Sequence, residues 1–106
     1  MESQATISAA ERKQLKQIAH HLKPVVMLGA QGLSDGVRLE LERALADHEL
    51  IKIKLSGDRD QRAVLSSTLA SDFQAAVIQQ LGSTLTLYRQ NPKADPRLSN
   101  RLRFMR

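Results

Sequence analysis

Val25-Val26-Met27-Leu28-Gly29-Ala30-Gln31-Gly32-Leu33-Ser34 is the stretch on which the fold turns. Its four leading apolar residues read as an interior strand, covered on both faces. Gly29-Ala30-Gln31-Gly32 breaks that strand, and Ser34 is placed to cap a helix running from Leu33 to His48. In a strand that passes through Gly-x-x-Gly into a helix, backbone N–H groups and the positive helix end converge on the turn and favour an anion. Glycines also let a sugar-phosphate backbone approach the main chain closely. Taken alone, such a turn is more often a structural joint than a binding site.

Upstream, Ser8-Ala9-Ala10-Glu11 has capping-box spacing and starts a first helix. Leu15, Ile18, Ala19 and Leu22 then recur on one face, leaving Arg12, Lys13, Lys16 and His20 at other angles. Pro24 disfavours helical geometry at Lys23 and ends the helix. Downstream, Val37, Leu41, Ala44, Leu45 and His48 form the inner stripe of the second helix. Leu50 to Leu55 alternates, with Ile51, Ile53 and Leu55 on one side and Lys52 and Lys54 on the other. Gly57-Asp58 reads as a turn, and Arg62 to Phe73 as a third helix. Ala76 to Leu81 and Thr84 to Tyr88 are strands joined by Gly82-Ser83, a two-residue hairpin turn with glycine first. Strands linked through helices run parallel, and the hairpin adds an antiparallel pair. The expected fold is a two-layer α/β sandwich, a four-stranded mixed sheet with three helices in the order α-β-α-β-α-β-β, the helices mainly on one side.

The 106 residues suit one domain, and an apolar share of 42% with 25% charged is that of a globular protein. No apolar run approaches a membrane span, and Met1-Glu2-Ser3-Gln4 does not resemble a signal peptide, so a cytoplasmic protein without a membrane partner is expected. The absence of cysteine excludes disulfides and thiolate metal sites. A net charge of +5 makes a polyanion the first partner class to consider. The excess lies late: from Met1 to Tyr88 ten basic residues face ten acidic ones, whereas from Arg89 onward six face only Asp95. Residues 1–89 are therefore read as the domain and 90–106 as an extended basic tail.

A P-loop needs Lys-Ser/Thr after its last glycine, where this chain has Leu33-Ser34. The glycines also miss the dinucleotide-binding spacing. His20, His21 and His48 lack metal-ligand spacing, and no nucleophile triad is visible, so no metal, cofactor, small-molecule substrate or catalysis is expected. Phe73, Tyr88 and Phe104 are the only aromatic residues apart from the histidines, too few for recognition by stacking many bases. Gly36, one turn into a helix, costs about 1 kcal/mol relative to alanine. Close packing or an approaching ligand would account for it, and packing is the favoured reading.

Leu22-Lys23-Pro24-Val25-Val26-Met27-Leu28-Gly29-Ala30-Gln31-Gly32-Leu33 followed by Gly36-Val37 closely resembles the CRM domain, the family named for chloroplast RNA splicing and ribosome maturation, in its bacterial stand-alone YhbY type. His48-Glu49-Leu50-Ile51-Lys52-Ile53-Lys54 and Leu81-Gly82-Ser83-Thr84-Leu85-Thr86-Leu87-Tyr88-Arg89 extend the similarity over Ser8 to Arg89. The resemblance implies a fold similar to the C-terminal domain of translation initiation factor three. It further implies RNA binding through the glycine loop and nearby basic residues, and association with ribosomal RNA in large-subunit precursor particles. The candidate RNA contacts are Gly29, Ala30, Gln31 and Gly32, with Arg12, Lys13, Lys16, Lys23 and Arg89; Arg97, Arg101 and Arg103 of the tail join them on charge alone, a solubilising end being the equal alternative. Lys52 and Lys54 are read as solubilising. A monomer is expected, and the competing reading is a protein–protein interaction module whose basic tail serves solubility.

Overall fold

Alternation within Leu50–Leu55 organises the sheet, and the computed structural model, which describes residues 7–29 and 32–104, shows how. The elements are α1 (Ala9–Ala19), β1 (Pro24–Leu28), α2 (Asp35–His48), β2 (Leu50–Leu55), α3 (Arg59–Asp72), β3 (Ala76–Leu81), β4 (Thr84–Tyr88) and α4 (Asn100–Phe104). The strands lie in the order β1-β2-β4-β3, with β1 and β2 parallel and the other two pairings antiparallel. Ile51, Ile53 and Leu55 join Val26, Leu28, Leu85 and Leu87 beneath Leu41, Leu45, Leu69 and Phe73, so α2 and α3 form one layer on one sheet face. The mixed sheet, the two-layer α/β class and the element order stand as the sequence predicts, with α4 as a short additional helix.

The opposite face carries a smaller core. Leu15, Ile18 and Ala19 of α1 cover Leu50, Ile78 and Tyr88. These sheet residues sit where β1, β2 and β3 start, so α1 lies across that end and leaves the other end of the same face open. Lys52 and Lys54 pair with Thr86 and Thr84 on this face, and Met27 pairs with Lys54. β1 is an edge strand, not the interior strand that its apolar run suggests. Val26 and Leu28 are buried, but Val25 is 46% and Met27 73% exposed.

Each helix start has a side-chain cap. Ser8 Oγ accepts from Glu11 N and Ser34 Oγ from Val37 N, whereas the reciprocal capping box forms at Asp58 and Gln61. That box begins α3 at Arg59, three residues before Arg62, and leaves the Gly57-Asp58 turn in place as the entry to the helix. Gly57 precedes the box with φ +99°, a conformation that favours glycine.

The segment after Arg89 is folded, not extended. Its anchor is Glu49, fully buried at the end of α2 with φ 61°. The Glu49 carboxylate accepts from Ser99 Oγ at 2.6 Å and from the Asn91 amide at 2.7 Å, and Arg101 Nε lies 3.4 Å away. Asn100 donates to the Leu50 carbonyl at 2.7 Å, Asn91 to the Ala46 carbonyl at 2.8 Å, and His48 Nδ1 lies 2.8 Å from the Leu98 carbonyl. A buried carboxylate is tolerable only when donors surround it, and the tail supplies them.

Candidate nucleic-acid interface

The glycine turn stands at the end of β1 beside the first turn of α2. Gly32 donates its amide to the Gly29 carbonyl at 3.1 Å and adopts φ +75°, which closes the turn. Among the described residues a Cβ added at Gly29, Gly32 or Gly36 would meet nothing within 4 Å, so all three positions have room for a side chain. Packing therefore does not explain Gly36. Ala30 and Gln31 lie outside the described residues.

Beside the turn, a cavity of about 490 Å³ is lined by Gly29, Gly32, Ser56, Asp60, Val64 and Leu65, among others. Acids gather at this end: Asp35 in the first turn of α2, and Asp58 and Asp60 at the start of α3. The basic helix is elsewhere. Arg12 donates to the carbonyls of Val77 at 2.8 Å and Ile78 at 3.4 Å, at the irregularity in the opposite edge strand β3. A bulge leaves ladder carbonyls without strand partners, and this guanidinium takes them. From strand rise and spacing, Arg12 is on the order of 20 Å from Gly29. The structure thus does not bring the α1 cations and the glycine turn together as one cluster.

Other sequence candidates divide by what they touch. Arg89 is largely buried, grips both carboxylate oxygens of Glu42 and donates to the Phe73 carbonyl at 3.1 Å. Arg101 faces Glu49 and is mostly covered. Arg97 closes a local pair with Asp95 at 3.1 Å, which holds the Asp95 carboxyl below the usual carboxylate range. Arg12, Arg89 and Arg101 are thus engaged by groups of the fold, unlike the lysines among the candidates. Lys13 and Lys23 are exposed, Lys16 is half-buried, and among the described residues none of the three enters an ion pair. Arg103 is exposed, with its guanidinium 5.3 Å from the Phe104 ring centre.

Lys52 and Lys54, read from sequence as solubilising, stand between the two groups of candidates. Lys54 is exposed beside Met27, one register step from the end of β1. Lys52 lines a cleft of about 180 Å³ with His20, Gln79, Leu81, Thr84 and Thr86, under the flank of α1. The open sheet surface therefore runs from the glycine turn to α1 as a strip of amine, hydroxyl and amide groups bordered by exposed Met27 and Leu81. The alternation signal that placed these lysines on the wet face was present in the sequence. The half-coverage of that face, which makes them a bridge, was not. Among the described residues, no three His, Asp or Glu side chains gather as a metal site, and no helix is long and apolar enough to cross a membrane.

An α/β domain with an open glycine turn and a partly covered, cationic sheet face is the class defined by these features. The CRS1 / YhbY (CRM) domain description matches residues 7–89, and the chain belongs to that family. A Pseudomonas aeruginosa protein named probable RNA-binding protein is 46% identical over 99 residues, covering 92% of this chain and 95% of that protein. A Haemophilus influenzae protein named RNA-binding protein is 44% identical over 90 residues, covering 84% of this chain and 91% of its own length. A Staphylococcus aureus protein solved in solution superposes with a TM-score of 0.72 at 22% identity, over 83% of this chain and 93% of that one, and shares the fold.

Proposed function

We propose that this protein binds structured RNA without catalysing a reaction, and that its target is ribosomal RNA of a large-subunit precursor. The observation that carries the reading is the open strip of sheet surface, where Lys52 and Lys54 link the glycine turn to the basic flank of α1. Phosphate oxygens fit both ends of that strip: unhindered main chain at Gly29, and the ammonium groups of Lys13, Lys16 and Lys23 beyond it. Asp60 in the cavity beside the turn disfavours phosphate there, which directs the backbone to the side carrying Met27 and Lys54. The scarcity of exposed aromatic rings favours backbone and shape recognition over base stacking. Family membership and relatives named as RNA-binding proteins support the RNA part. The ribosomal part rests on the resemblance to proteins of ribosome maturation.

Gly29→Asp and the double change Lys13→Glu with Lys16→Glu test the reading. Gly29 has room for a side chain and no left-handed φ, so aspartate should fold and place a negative charge where phosphate belongs. Both variants are expected to weaken RNA binding at least tenfold, a loss of about 1.4 kcal/mol, and to reduce co-sedimentation with precursor particles. Unchanged affinity in both, with no migration on such particles by the native chain, contradicts the proposal. A protein partner that survives nuclease treatment would favour an interaction module instead.

A further inference from the structure

We infer a second phosphate seat at the end of the sheet remote from the glycine turn, built jointly by the family domain and the C-terminal segment beyond it. A cavity of about 300 Å³ opens where α1 hands over to β1, lined by His21, Lys23, Lys52 and Arg103, with Asn100 and His48 at its wall. Among the described residues no Asp or Glu lines it. Three permanent cations around one concave site repel each other when it is empty, and a phosphate removes that repulsion.

The C-terminal segment completes the site. Residues 7–89 match the family, whereas Asn100 and Arg103 lie beyond that span. They reach the cavity because Glu49 holds Ser99 and Asn100 holds the Leu50 carbonyl. Phe104 stacks on His21 with ring centres 6.2 Å apart, and Arg103 lies 5.3 Å from the same ring. That aromatic contact ties the tail cation to the last residues before β1 and restricts both side chains before any ligand arrives, which lowers the ordering cost of binding. The buried anchor thus has a purpose that stability alone does not require: it delivers a guanidinium to Lys23 and Lys52.

The seat rests on the RNA-binding reading and extends it. Pro24 to Gly29 spans about 17 Å along β1, so an RNA strand lying on the open face would meet the glycine turn at one end of β1 and the seat at the other. The ligand chemistry is a phosphate group, whose sources are an RNA backbone or a free phosphate, and we assign it to RNA.

Binding of an RNA hairpin is measured across a range of salt for the native chain, for Lys23→Gln with Arg103→Gln, and for Arg43→Gln, an exposed cation on α2 at the other sheet face. The seat variant is expected to lower the slope of log affinity against log salt by about 0.7 to 0.9, and to weaken binding roughly five- to eightfold at 0.1 M salt. Arg43→Gln is expected to change neither. A seat variant that matches the native slope and affinity overturns the seat, as does an equal effect of Arg43→Gln, which would mean that only total charge matters. If Gly29→Asp still weakens binding in either case, RNA recognition stands and the seat alone fails. If the native chain binds no RNA, the underlying reading fails first. Inorganic phosphate titrated alone at constant ionic strength should leave the His21 and Arg103 amide resonances unsaturated at millimolar concentration. Saturation there, with an unaltered RNA slope, assigns the cavity to free phosphate instead.

Discussion

The two ends of the sheet are built on opposite plans. Where β1 ends, the chain is open: a side chain added at Gly29, Gly32 or Gly36 would meet none of the described residues, and α2 and α3 bring acids in their first turns. Where β1 and β2 start, the chain is closed: α1 packs across the strands, and a fully buried Glu49 gathers donors from the tail. Cations at the closed end serve two purposes. Arg12 and Arg101 satisfy groups of the fold, while Lys23, Lys52 and Arg103 face a cavity. Net charge does not separate these populations, because only the partner of each guanidinium decides whether it is available to a ligand.

The contrast breaks most severely at Glu49. Glu49→Ala leaves the Ser99 hydroxyl and the Asn91 backbone amide without their acceptor and the Arg101 guanidinium without its counter-charge, and should cost about 3 to 5 kcal/mol, read as a lowered urea midpoint. RNA affinity of the fraction that remains folded should also fall, because Arg103 is no longer held in place. Arg12→Ala should cost about 1 to 2 kcal/mol, since two bulge carbonyls lose a charged donor. Extrapolated to the folded fraction, its RNA affinity should change far less than that of Lys13→Glu with Lys16→Glu.

At the open end the sign reverses. Gly36→Ala meets no neighbour and restricts the unfolded chain, so it should raise stability by a few tenths to about 1 kcal/mol. The same variant should weaken RNA binding if the backbone approaches α2 closely. More stability with unchanged affinity would place the RNA away from Gly36.

Titration sharpens the comparison with the smallest effect. The hydrogen bond from Arg89 holds the Glu42 carboxyl below its ordinary value. A lowered folded value contributes stability above the unfolded value, near 4.3, that is lost as pH falls through the folded one. Glu42 is more than half exposed, so this contribution is small and screened by salt. Burial pushes the Tyr88 hydroxyl up. A raised folded value means that stability is intact below the unfolded value, near 10, and declines as pH rises from there through the folded one. Thermal unfolding followed at pH 3 to 6 and at pH 9 to 11 reads both windows.

Much of this fold is legible because its signals are local. Alternation at Leu50–Leu55, the Gly82-Ser83 turn and the Ser34 cap each act within a few residues, and each places its element. Misreadings occur where distant partners decide. Val25-Val26-Met27-Leu28 looks interior because a continuous apolar run does not reveal that no strand lies outside β1. The tail looks extended because its prolines and charges are visible, while Glu49 lies some 50 positions from Ser99. The glycine turn is legible as a candidate site. The bridging position of Lys52 and Lys54 follows from α1 covering only half of one sheet face, and no local pattern encodes that.

Amide chemical-shift mapping with an RNA hairpin tests the central claim most directly. The account predicts perturbations concentrated at Met27, Gly29, Gly32, Lys52 and Lys54, extending to Lys23. Perturbations confined to the outer surfaces of α2 and α3, around Leu39, Arg43 and Val64, with the open sheet face silent, would contradict it.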